Sequence, residues 1–150
     1  MGGGLGDLFK KDIMLKIVGK QFENGNEETN LEFVTEGKLY ERGQAIYLVY
    51  EETELSGMPG CQTRLKLSGN KVKLSRSGEE MPLDTEIEFE KGAHYKGLYD
   101  TPFGAIEMEV LTNDVKNNIR NDGTGSLDID YHISLKGLTD ARSKLNIEIM

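Results

Sequence analysis

Arg76 is the residue of this 150-residue chain whose placement most suggests chemistry. In Lys71-Val72-Lys73-Leu74-Ser75-Arg76 it shares the parity of Val72 and Leu74. Residues two apart on a strand point to one face, so the alternation aims a guanidinium at the apolar side. A buried guanidinium must be paired or hydrogen-bonded, or it costs several kcal/mol. Glu52 shares the parity of Ile46, Leu48 and Tyr50 in another segment. Glu52 and the Tyr50 hydroxyl are therefore candidate partners, with Tyr99 and Tyr131 behind them. Two readings follow. Arg76 could anchor the carboxylate or phosphate of a ligand held in an apolar pocket. The plainer reading, which the residues favour, is an ion pair buried at or rimming one end of the fold. A bulge beside Ser77-Gly78 would turn Arg76 outward instead.

Other reactive groups are sparse. The two histidines are His94 and His132, and His132 falls on the polar parity of its segment, which suits an exposed side chain. There is no Gly-x-Ser-x-Gly nucleophile elbow, phosphate loop or dinucleotide fingerprint. Asn121-Asp122-Gly123-x-Gly125 lacks the ligand spacing and terminal glutamate of a calcium loop, and reads as a hairpin turn. Cys61 is the single cysteine, so neither an internal disulfide nor a zinc site can form. No catalytic residues, metal or cofactor are expected.

The elements that must position Arg76 are strands. Every odd position of Leu127-Asp128-Ile129-Asp130-Tyr131-His132-Ile133-Ser134-Leu135-Lys136 is apolar and every even one polar, the signature of a strand covered on one face. Thr63, Leu65 and Leu67 repeat the pattern, as do Ile87 with Phe89, Ile106 with Met108 and Val110, and Leu145 with Ile147 and Ile149. Ile13, Leu15 and Ile17 open the series, and Leu31 with Phe33 continues it. Ala45 to Tyr50 is apolar on both parities, which suits a strand covered on both sides. Lys71 and Lys73 are expected to face Glu86, Glu88 and Glu90 across a ladder. Asp114 to Arg120 reads as a short strand. Turn residues punctuate these runs at Asn24-Gly25-Asn26, Gly43, Ser56 to Gly60, Gly69-Asn70, Ser77-Gly78, Lys91-Gly92, Thr101-Pro102, Asn121 to Gly123 and Gly137. No stretch carries a helical period. A single sheet of this many strands tends to curl and close, which also removes exposed edges; a sandwich is the competing architecture. Phe33, Tyr47, Tyr50, Phe89, Tyr95, Tyr99, Phe103 and Tyr131 are enough aromatics to fill a small barrel.

Composition narrows the function classes. The net charge of −8 repels phosphate backbones and anionic membrane surfaces, so nucleic-acid and membrane partners are not expected. No apolar run approaches the ~20 residues of a transmembrane helix. With no export signal visible and one cysteine, the expectation is a reduced, cytoplasmic protein. Residues 1–11 read as a flexible Gly-rich tail before a barrel domain at 12–150.

These residues together resemble a family. Thr35-Glu36-Gly37-x-x-Tyr40, Tyr47-Leu48-Val49-Tyr50-Glu51-Glu52, Arg76-Ser77-Gly78, Phe89-x-x-Gly92, Thr101-Pro102-Phe103-Gly104 and Gly125-x-Leu127-x-Ile129-x-Tyr131 occur in this order. The pattern, from about Ile13 to Ile149, resembles the YwiB-like proteins, lipocalin-like barrels found mainly in Gram-positive bacteria. The resemblance implies a calycin-type barrel and carries no activity with it. The expected structure is an all-β, closed antiparallel up-and-down barrel of roughly 8–10 strands. The expected function is a module binding a small, partly apolar, anionic molecule through Arg76, Tyr50, Glu52, Tyr99 and Tyr131. The alternative is an interaction barrel, solidly packed inside, that docks a protein partner; an enzyme is the least expected class.

Overall fold

The computed structural model describes residues 9–23, 26–52, 60–78, 85–101, 104–136 and 139–150. Ten strands run β1 (Phe9–Glu23), β2 (Asn26–Arg42), β3 (Ala45–Glu51), β4 (Cys61–Ser68), β5 (Lys71–Gly78), β6 (Thr85–Glu90), β7 (His94–Thr101), β8 (Gly104–Asn117), β9 (Ser126–Leu135) and β10 (Thr139–Ile149). All ladders are antiparallel, and there is no helix among the described residues.

The sheet order is β6-β5-β4-β3-β2-β1-β10-β9-β8-β7. Each strand pairs with its chain neighbour except at β6 and β7, and the first strand pairs with the last. The two ends of the sheet are therefore consecutive in the chain and must lie together. Gly92 N–H donates to the Thr112 carbonyl at 2.9 Å, and Thr112 N–H donates to the Ala93 carbonyl at 3.2 Å. These bonds stitch the β6–β7 turn to β8, and the barrel is nearly closed.

Alternation sets the inside. Leu127, Ile129 and Ile133 are buried and Tyr131 and Leu135 pack against the core, while Asp128 and Lys136 are exposed. Leu15, Leu39, Leu48, Leu65, Phe89 and Ile147, from six strands, are almost fully buried. At ~25 cal/mol per Å² of apolar surface, such side chains contribute about 1.5–3 kcal/mol each. Lys71 and Lys73 lie opposite Glu90 and Glu88 in the register, yet their ion pairs run diagonally, to Glu88 at 3.9 Å and Glu86 at 3.5 Å.

Three sequence expectations change. The ordered ladder starts at Phe9, with Lys10 opposite Tyr40 and Lys11 opposite Leu39, so the expected tail boundary at residue 11 falls inside β1; residues 1–8 lie outside the described residues. Asp114 to Asn117 prolongs β8 rather than forming a separate strand, and Asn118 to Arg120 leave the ladder. Ala45 to Tyr50 is fully covered on one face and partly on the other: Ala45 is buried, but Tyr47 and Val49 stay half-buried on the outer face, and Tyr47 stacks on Tyr40 instead of filling the barrel. The expected turns at Ser56 to Pro59, Pro102 and Gly137, and the aromatic Phe103, lie outside the described residues.

Candidate functional site

One row of the ladder carries most of the interior polar groups. Tyr50 on β3 stands opposite Thr63 on β4, Thr63 opposite Arg76 on β5, and Arg76 opposite Thr85 on β6. All four share the inward parity of their strands. Arg76 thus points inward as the alternation requires, with its side chain 18% exposed. Glu52, just past the end of β3, is buried, and its N–H donates to the Cys61 carbonyl at 2.8 Å.

The geometry is a three-membered relay. Thr63 Oγ1 donates to Glu52 Oε1 at 2.6 Å and accepts from Arg76 Nε at 3.2 Å. Arg76 Nη2 approaches the same Glu52 oxygen at 3.4 Å. The short hydroxyl bond fixes the carboxylate, and the guanidinium closes on it more loosely. Burial raises the Tyr50 pKa well above the ordinary tyrosine range, helped by the negative charge of Glu52 and opposed by Arg76 and Thr63. Tyr50 therefore stays a neutral phenol.

Tyr131 stands across the barrel, its ring 4.8 Å from that of Phe89 and tilted by 56°. It pairs with Thr112 on β8 and with Ser143 on β10. Both of those hydroxyls are buried: Thr112 Oγ1 has no hydrogen-bond partner among the described residues, and the Ser143 hydroxyl faces the Tyr131 phenol. Burial raises the pKa of Tyr131, against the pull of Ser143 and of the Arg76 charge; Tyr99 adds to the rise. Tyr99 sits on β7, partly buried against the core. Of the five residues singled out from the sequence, Arg76 and Glu52 touch, Tyr50 is part of the core, and Tyr99 and Tyr131 pack against it.

Thr63, Thr112 and Ser143 were missed. Their signal was present, since Thr63 shares the parity of Leu65 and Leu67, and Ser143 that of Leu145 and Ile147. A short hydroxyl side chain on an apolar parity does not stand out as Arg76 does.

A groove lies beside Tyr50 and Glu52. The β2–β3 ladder runs from Gly37 opposite Tyr50 to Arg42 opposite Ala45. Beyond Gly37, β2 continues to Asn26 with no β3 partner among the described residues. A groove of about 1020 Å³ opens there, lined by Val34, Thr35 and Glu36 on one side and Tyr50, Glu51 and Glu52 on the other. The histidines take no part: His94 lies on the surface 3.4 Å from Glu109, and His132 is exposed beside Asn113. Among the described residues no three acidic, histidine or cysteine side chains converge to hold a metal ion, and no helix is long and apolar enough to cross a membrane.

Residues 15–147 match a family described as a domain of unknown function, DUF1934. No curated protein matches the chain. Among solved structures, the crystal structure of the ywiB protein from Bacillus subtilis superposes with a TM-score of 0.70 over 99% of both chains, at 22% sequence identity.

Proposed function

The chain belongs to the DUF1934 family, and from that premise we propose that it is a small-molecule binding module of the lipocalin-like kind. The ligand has a partly apolar body and an anionic head. The observation that carries this reading is the presence of a guanidinium, two neutral phenols and two buried hydroxyls, that of Thr112 without a partner among the described residues, in an otherwise apolar interior. A buried hydroxyl without a partner, as at Thr112, is rare in native structures and calls for one. Arg76 uses two of its five N–H donors on Thr63 and Glu52 among the described residues. A carboxylate or phosphate would draw on the others, with Tyr50 and Tyr131 donating beside it. The groove between β2 and β3 supplies the approach.

Native mass spectrometry of the full chain, purified from its own host, tests the proposal. A co-purifying small molecule is expected. Arg76→Ala should weaken its retention by roughly 1–3 kcal/mol, the range for a lost hydrogen bond to a charged group. Thr112→Val, which removes the unpartnered hydroxyl, should weaken retention without lowering stability. A chain that carries no ligand would overturn the reading in favour of an interaction barrel. The dense filling of the core around Phe89, Leu48 and Ile129 favours that second reading.

A further inference from the structure

The outer face of β2–β5 departs from the rest of the molecule. The chain carries a net charge of −8, yet a shallow trough here is lined by Arg42, Arg64, Lys66 and Lys73, with Glu86 the one carboxylate among the described residues. That is a local excess of three positive charges. Its remaining walls are Tyr40, Tyr47 and Ser75.

The arrangement is not explained by stability. Lys66 and Lys73 stand directly opposite each other in the β4–β5 ladder, and like charges in that position are destabilising. Lys73 is relieved by Glu86 at 3.5 Å. Lys66, Arg64 and Arg42 make no ion pair among the described residues, although the chain has eight more acidic than basic groups to offer. Beside them, Tyr40 and Tyr47 stack with centroids 4.8 Å apart and planes within 3°. Both rings are only half-buried, so π surface stays open next to unneutralised cations. Cations that neutralise a phosphate and an aromatic wall on which a base can stack are the two elements of nucleotide recognition.

We infer that this trough is a second binding site, for a small phosphate-bearing molecule with a planar ring, of the nucleoside monophosphate class. Arg64 and Lys66 hold the phosphate, and Tyr40 and Tyr47 receive the ring. The trough measures about 210 Å³, room for part of one small ligand and not for two. The overall negative charge repels a long polyanion, which excludes nucleic acid as the preferred occupant. The site is on the outside of the barrel and does not depend on the interior reading.

The test is a titration of the full chain with AMP, adenosine and inorganic phosphate, followed by calorimetry and by tyrosine fluorescence. The chain has no tryptophan, so its six tyrosines report without interference. AMP is expected to bind, to quench the emission and to weaken as salt rises, while adenosine or phosphate alone binds at least ~10-fold less tightly, a factor worth about 1.4 kcal/mol. The double variant Arg64→Gln/Lys66→Gln should lose at least ~10-fold in AMP affinity. Lys66→Gln alone should leave thermal stability equal or higher, because it removes the clash with Lys73; a lowered stability would assign Lys66 a structural role and overturn the proposal. AMP failing to bind at about 10 mM, well above a ~1 mM Kd, would also overturn it, as would undiminished binding to the double variant. A short oligonucleotide that binds more tightly than AMP would overturn the small-ligand assignment.

Discussion

Arg76 on β5 and Glu52 beyond β3 meet at 3.4 Å across an intervening strand, because Thr63 of β4 bonds to both. The pair is inside the barrel, with the Glu52 side chain 3% exposed. Its energetics follow from that placement. Breaking a buried ion pair leaves an uncompensated charge and costs more than removing both partners. Arg76→Met should therefore destabilise the fold by about 3 kcal/mol, at the lower end for buried pairs because the guanidinium is partly solvated. Arg76→Met combined with Glu52→Leu should recover much of the loss. Urea denaturation of the two single variants and the double variant measures the coupling; additive losses would show that the two groups do not interact.

Asp130 and Arg142 form the best-defined pair on the outer face, with Nε to Oδ1 at 3.0 Å and Nη2 to Oδ2 at 2.6 Å. The hydrogen bond from Arg142 holds the Asp130 carboxyl below its ordinary value, with a smaller contribution from Asn113. A depressed folded-state pKa stabilises above the unfolded value, near 4 for aspartate, and the benefit disappears as pH falls through the folded value. Arg142→Ala should thus lower stability slightly at neutral pH, as expected for a solvent-screened pair. The gap between variant and parent should close as pH drops below ~4. Stability curves of both proteins from neutral to acid pH check this, and a gap that persists in acid would refute it.

Tyr50 makes the opposite prediction in alkali. Its folded-state pKa is raised, first by burial and then by Glu52. Below the unfolded tyrosine value, near 10, both states hold the proton and no penalty arises. Above it the unfolded chain ionises first, so stability falls as pH rises, by as much as ~1.4 kcal/mol per pH unit for one group. Tyr50→Phe should flatten that slope. Denaturation at several pH values between about 9 and 11 would reveal the difference, and parallel slopes would count against a buried phenol at this position.

Gly125 and Gly69 both hold positive φ, at 114° and 61°, but their surroundings differ. A methyl group at Gly125 would run into the carbonyl of Asn118, whereas Gly69 has nothing within 4 Å. Gly69→Ala should then show only the backbone term, about 1 kcal/mol. Gly125→Ala adds a collision with backbone that cannot swing aside, at the point where Ile149 N–H bonds to the Gly125 carbonyl. Its loss should exceed ~3 kcal/mol. Thermal melts of the two variants give the comparison directly.

Period-two alternation already specified the strands and the face that each one buries. An apolar residue at every second position can be buried only on one face of a strand, so the inward set from Leu127 to Leu135 was legible before any coordinates. So was the inward aim of Arg76, from its parity with Val72 and Leu74. Alternation fails wherever the ladder slips. On β8, Met108, Val110 and Thr112 point inward, then a bulge at Asn113 shifts the register and Val115 points inward instead. The extra residue is spent locally, with Asn113 Nδ2 donating to Asp130 at 3.1 Å.

What tertiary structure alone decided is which strands stand next to one another. Parity says that Arg76, Glu52 and Tyr131 face the interior, but not that Thr63 lies between the first two. Nor does it say that Thr112 and Ser143 flank the third. The same holds outside the barrel: Tyr40 meets Tyr47, and Lys66 meets Lys73, only through ladder register. The physical reason is range. Alternation is a property of neighbouring residues along one strand, whereas a site is made by side chains brought opposite one another by turn length and strand order, neither of which is encoded in any single segment.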